Sequence, residues 1–177
     1  MATYYSDQFA ATYNATWSPS YRAPSPIIGP PTKIITFNNT AALSVSDLLV
    51  LGMFKSSDRF KYIYGSNTTT PTTGAINLGV YEAPKVGVDP VTVLDADLFC
   101  SAVDLATTAV FEDWFIESTT LTGFHRGLPL WQLLNVGGAT SYTVDPKIDM
   151  LLVGVVTTAI DTADTIRILV DYDMVGC

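Results

Sequence analysis

Residues 147–174 read KIDMLLVGVVTTAIDTADTIRILVDYDM, and this stretch decides the fold. Its first half, through Ile160, is a long apolar strand. Its second half alternates: Ile166, Ile168 and Val170 fall on one face, Arg167, Leu169 and Asp171 on the other. Period-two alternation marks a strand with one face in a core and one face partly wet. Asp161, Thr162, Ala163 and Asp164 interrupt the pattern as a turn does. Two long strands with no catalytic side chain between them point to a rigid β body before they point to an enzyme.

Working outward, the same reading recurs. The expected strands fall near 33–37, 48–54, 59–65, 75–82, 109–116, 147–157 and 165–174, with polar turn and loop composition between them. In 59–64, Phe60, Tyr62 and Tyr64 are expected on one face and Ile63 on the other, whereas in 75–82 Ile76, Leu78 and Val80 face inward. Two short helical turns are expected. One is capped by Asp95 or Asp97 and carries Leu98, Ala102 and Leu105. The other starts at Pro129 in LPLWQLLN and ends at Gly137–Gly138. No dozen-residue helix alternates with the strands, so a parallel βαβ sheet is excluded and an antiparallel, all-β sandwich is expected.

The first 32 residues differ from the remainder. Tyr4, Tyr5, Phe9, Tyr13, Trp17 and Tyr21 recur about every four residues, and half of the chain's 10 prolines follow between Pro19 and Pro31. Proline fixes φ and removes a donor, so an extended N-terminal arm over 1–32 is expected, followed by a sandwich domain over 33–177. Those six aromatics are the candidate partner-binding residues, because large rings are costly to leave in water. They dock either on a neighbour or on their own domain.

Composition sets the outer limits. A chain of 177 residues with 48% hydrophobic and 15% charged residues builds one well-packed domain. A formal net charge of −8 repels phosphate backbones, so no nucleic-acid partner is expected. No run is apolar for the roughly 18 residues of a membrane helix. The opening MATYYSDQF has neither the basic nor the apolar region of a secretory signal, so a protein made and kept in a cytoplasm, or assembled there into something larger, is expected. The Asn-X-Thr motifs at Asn14, Asn38 and Asn67 then carry no glycan. Cys100 and Cys177 show no metal or redox spacing and are expected as free thiols.

The single His125, in TGFHRGLP, lacks a nucleophile-elbow pattern and reads as a loop histidine. Asp95 and Asp97 lack the further ligands and glycine of a calcium loop. Asp171 and Asp173 share a strand face toward solvent or a partner. Glu112, Asp113 and Glu117 surround Trp114 and Phe115 as acids surround aromatics in some sugar sites, but a sequence does not show the separation hydrolysis needs. Lys55, Arg59 and Lys61 form a basic cluster too small for a nucleic-acid footprint. No catalytic, cofactor-binding or metal residue is assigned.

The order of motifs resembles that of the small β-rich capsid decoration proteins of tailed bacteriophages, also called cement or head-stabilising proteins. The similarity runs over about 45–172. It rests on SVSDLLVLGMFKSSDRFKYIY (44–64), GAINLGVYE (74–82), LDADLFCSAVDLATTAVF (94–111), LPLWQLLN (128–135) and a closing hairpin, DPKIDMLLVGVVTTAI with DTIRILVDYDM. The resemblance implies a jelly-roll-like sandwich on the exterior of a virion, often a homotrimer. It implies the major capsid protein as partner and no catalytic residues. A carbohydrate- or receptor-binding module of a phage fibre or spike is the rival expectation, with exposed aromatics stacking on sugars. A small glycan-active enzyme using Glu112, Asp113 or Glu117 is a third.

Overall fold

Two sheets face each other across one apolar core. The structure is a computed structural model and describes residues 2–5, 32–39, 41–67, 71–84, 92–106, 111–117, 120–161 and 164–174. Its strands are β1 (Thr3–Tyr5), β2 (Thr32–Asn39), β3 (Leu48–Lys55), β4 (Arg59–Asn67), β5 (Ala75–Glu82), β6 (Thr92–Asp104), β7 (Glu112–Asp113), β8 (Asp149–Thr158) and β9 (Asp164–Asp173). One helix, α1 (Leu130–Val136), precedes β8. The five-stranded sheet has the order β1-β3-β8-β5-β6 and the four-stranded sheet the order β2-β9-β4-β7. Pairing between these strands is antiparallel except for β1 on β3. The expected all-β sandwich is the observed fold.

The deciding stretch forms its two strands but not a hairpin. β8 lies between β3 and β5, while β9 lies between β2 and β4 in the other sheet. The reason is in their faces. Met150, Leu152 and Val156 of β8 enter the central core, and Leu151 and Val153 enter a second apolar cluster on the opposite face. A strand apolar on both sides needs the middle of a covered sheet. β9 buries Ile166, Ile168 and Val170 and leaves Arg167 exposed, as its alternation requires. The polar turn between them therefore changes sheets.

Three further expectations are corrected. The stretch from Asp95 through Leu105 is no helical turn. Leu98, Phe99, Cys100 and Val103 lie in the long strand β6, whose register against β5 shifts three times. Leu98 is buried and Ala102 exposed, so their helical spacing marks no common face. In β4, a register shift between Phe60 and Tyr62 exchanges the faces, so Phe60 and Ile63 are both fully buried while Tyr62 points outward. Of the strand expected over 109–116, residues 109 and 110 lie outside the described residues, and among 111–116 only Glu112–Asp113 form a strand; Trp114 and Phe115 turn into the core and are fully buried.

Core geometry rests on close approaches that only glycine permits. A Cβ on Gly65 would lie 2.0 Å from the Trp114 ring, so the indole lies directly against the β4 backbone. A Cβ on Gly79 would lie 2.1 Å from the Asp95 carbonyl oxygen, where the bulged part of β6 crosses β5. Phe54, Phe60, Phe99, Phe115 and Tyr172 form a continuous ring cluster with centroids 4.9–5.9 Å apart. Helix α1 behaves as its sequence predicts: Pro129 is the N-cap, Gly137 the C-cap, and Leu130, Leu133 and Leu134 are buried.

A candidate docking face

The outer face of the four-stranded sheet is built by two cross-strand rows. Ile34, Leu169 and Tyr64 form one row and Thr32, Asp171 and Tyr62 the next. The Tyr62 and Tyr64 rings stack at 5.8 Å and 10°. They share a face because they are two residues apart beyond the bulge. Ile34 is 58% exposed and Tyr62 41% exposed.

Arg126 ties this face to the chain that follows β7. Its guanidinium lies 4.4 Å from the Tyr62 ring centroid and 5.1 Å from that of Phe115. It donates to the Lys61 carbonyl at 2.9 Å and pairs with the Asp113 carboxylate. A guanidinium over a ring, with a carboxylate closing its fork, is held in one orientation. The main chain adds a second tie, with the Gly127 amide donating to the Phe60 carbonyl at 2.6 Å.

Directly before Arg126, residues Gly123–His125 form a 3₁₀ turn. The His125 amide donates to the Thr122 carbonyl at 2.9 Å, and the Thr122 amide donates to His125 Nδ1 at 3.0 Å. With Nδ1 accepting, the neutral ring carries its proton on Nε2. His125 thus closes a turn. At its centre Phe124 is 96% exposed. A large aromatic held out on a turn fastened at both ends has little conformational freedom to lose on binding. Phe111 and Ile116, flanking edge strand β7, are also exposed. Together these residues give the four-stranded sheet an apolar and aromatic outer surface with a fixed projection.

The residues singled out from sequence are distributed differently. Tyr4 lies in β1, partly buried, with its ring edge-on to Phe37 at 6.3 Å. Tyr5 ends that strand. Phe9, Tyr13, Trp17 and Tyr21 lie outside the described residues. A strand within the first five residues departs from the expected arm, and Thr32, placed last in that arm, is the first residue of β2. The prolines that argued for an extended arm begin only at Pro19, well after β1.

Of the three acids near Trp114, Asp113 is committed to Arg126, and Glu112 and Glu117 are exposed. The Trp114 and Phe115 rings are buried and present no stacking surface to a sugar. Lys61 pairs with Asp173 at 2.7 Å, a hydrogen bond that raises the lysine pKa. Arg59 donates to the Gly127 carbonyl at 3.1 Å. Asp95 and Asp97 border a surface depression of about 330 Å³ beside Gly137 and Gly138. Burial pushes the Asp95 carboxyl up to about 6, against the opposing hydrogen bond from the Asp97 amide. Cys100 is a buried free thiol whose pKa burial pushes well above its ordinary value. Among the described residues no three His, Cys, Asp or Glu side chains are grouped to hold a metal ion, and no helix is long and apolar enough to cross a membrane.

Phe124 and Arg126 were missed in sequence. Both sit in TGFHRGLP, where attention falls on the histidine. The available signal was a bulky apolar residue between two glycines, a pattern that exposes a side chain on a turn.

No protein-family model matches the chain, and no curated protein matches its sequence. Among solved structures it is similar to a chain of the capsid of Ralstonia phage GP4. The TM-score is 0.54 at 13% identity, over 89% of this chain and 93% of that one. A chain of the cyanophage Pam1 capsid asymmetric unit aligns over 90% of this chain and 97% of its own, with 17% identity and a TM-score of 0.38.

Proposed function

We propose that this protein is a structural component of a phage virion, a capsid decoration protein that sits on the outside of the head and bridges subunits of the major capsid protein. The observation that carries the reading is the similarity of fold, nearly end to end, with a chain of the Ralstonia phage GP4 capsid. The docking face described above supports it. Stacked tyrosines, a fixed arginine and a projecting phenylalanine supply an apolar contact to a protein surface, and none of them is arranged as an acid, base or nucleophile.

In this reading the protein has no enzymatic activity and acts by mass action. A protein that binds the assembled shell but not free capsid subunits stabilises the shell by its binding free energy. A contact of standard size buries roughly 1,200–2,000 Å² in total. A homotrimer engages three capsid subunits at once and gains avidity from doing so.

The test compares particles with and without this protein. Particles lacking it are expected to release DNA at a lower temperature, or under milder low-salt stress, than complete ones, and complete particles to contain hundreds of copies. Equal thresholds, with the protein confined to the tail, would overturn the reading in favour of a receptor-binding module.

A further inference from the structure

The edge of β3 carries a built receptor for the first strand. Asp47 is 4% exposed, and its two carboxylate oxygens are used separately. Oδ1 accepts the Ala2 amide at 2.7 Å and Oδ2 accepts the Ser44 amide at 2.9 Å. The Leu48 amide donates to the Ala2 carbonyl at 2.8 Å. Thr3, Tyr4 and Tyr5 then run parallel to Leu48, Leu49 and Val50. Tyr4 adds the edge-on contact with Phe37 of β2. A buried carboxylate, a strand edge and an aromatic contact therefore select one short segment in one register. This is recognition by strand addition, in which backbone hydrogen bonds give affinity and side-chain contacts give register.

The segment that fills this socket is joined to the body by 6–31, roughly 26 residues that span at most ~90 Å when extended. Its own socket needs far less. Tyr4 already touches Phe37, and Phe37 is five residues, about 17 Å, along β2 from Thr32. A compact domain of this length is only about 40 Å across. The tether thus reaches the socket of an adjacent copy as readily as its own.

We propose that, where copies lie side by side, the Asp47 socket takes residues 2–5 of a neighbouring copy, so that exchanged first strands link the copies into a continuous layer. The contacts made are identical in both arrangements, so local concentration decides between them. A tether of about 26 residues holds its own strand at an effective concentration of millimolar order. Dilute copies fill their own sockets, whereas copies packed at comparable density exchange. The layer itself rests on the capsid reading above; the exchange does not, and it is testable in purified protein without particles.

The experiment mixes equal amounts of nitrogen-15-labelled and unlabelled full-length protein, each with a photo-crosslinking benzoylphenylalanine at Thr3 or, separately, at Ala2. After equilibration and illumination, mass spectrometry reads whether the crosslink to residues 47–50 joins like or unlike isotopes. At micromolar concentration nearly all crosslinks are expected within one isotope. At several millimolar the mixed fraction is expected to rise toward about half, the statistical limit of free exchange. Asp47→Ala is expected to remove both kinds. Crosslinks that stay within one isotope at the highest concentration would overturn the exchange and leave the capsid reading untouched. Crosslinks outside β3 from both positions would overturn the socket itself.

Discussion

The two sheets share one core but differ on their outer sides. The five-stranded sheet carries a second apolar cluster there, in which Leu48, Val50, Tyr81, Leu151 and Val153 are all buried. The four-stranded sheet presents Ile34, Tyr62 and Arg167 as exposed residues on its outer side. The first sheet is therefore structural on both faces, and the second has a face free to meet a partner. The difference traces to β8 and β9. A run without alternation becomes the covered centre of one sheet, and a run with alternation becomes the half-wet centre of the other.

The harshest test of that contrast lies at the two close approaches. Gly79→Ala places a methyl against the main chain of Asp95 and Ala96, which cannot swing aside as a side chain can. Loss of at least ~3 kcal/mol of stability is expected, read from the denaturant midpoint. Gly65→Ala meets the Trp114 ring instead. It is expected to cost about 2–4 kcal/mol, with a change in tryptophan fluorescence as the indole is displaced. If Gly79→Ala folded as stably as the parent, the crossing of β6 over β5 would be wrong.

The faces themselves are compared by putting one charge on each. Val153→Lys buries an ammonium without a partner and is expected to cost about 3–5 kcal/mol. Ile34→Lys places the same group on an exposed edge strand and is expected to change stability by no more than ~0.5 kcal/mol. Similar costs at both positions would erase the distinction between a structural and an available face.

How much of this was legible in sequence follows from the range of each interaction. Alternation and apolar runs are local, so β5 and β9 were legible with their inward residues and β8 as an apolar strand. Helix α1 was found because its proline and glycine caps are local too. Which strands pair is not local, and nothing in 147–174 distinguishes a hairpin from a crossing between sheets. Bulges defeat periodicity: one inserted position in β4 moved Tyr62 outward, and β6, whose register shifts three times, buries Leu98 and leaves Ala102 exposed, so their helical spacing marked no common face. The docking face was invisible for the same reason, since Arg126 meets Tyr62 only after the chain has folded back 64 positions. The hydrogen bond from the Ala2 amide to Asp47 was hidden likewise, since it joins residues 45 positions apart.

The docking face gives a prediction in which stability and binding separate. Phe124→Ala removes a side chain that is almost wholly in solvent, so the denaturant midpoint is expected to move by no more than ~0.5 kcal/mol. Burying a phenylalanine on a partner contributes roughly 1.5–3 kcal/mol, so affinity for particles is expected to fall about 10- to 100-fold. Unchanged affinity would remove Phe124 from the interface and narrow the face to the tyrosine rows.

A pH-dependent effect of modest size concerns the Asp95 carboxyl at the depression beside α1. Its pKa in the folded protein is about 6 against an ordinary 3.8, raised chiefly by burial and held back in part by the Asp97 amide that it accepts. A raised carboxylate pKa means that the folded state prefers the protonated form. The preference stabilises the fold below pH ~4, is lost as pH rises from ~4 to ~6, and leaves a constant penalty above that. Two pH units correspond to about 3 kcal/mol, which partial exposure of the group reduces to roughly 1–2 kcal/mol. Asp95→Asn keeps an oxygen to accept the Asp97 amide and removes the charge. The variant is expected to exceed the parent in stability by that amount at pH 7.5 and to match it at pH 4, as read from urea midpoints. An equal advantage at both values would mean that the substitution acts through packing against Gly137, where the carboxylate sits, and not through its proton.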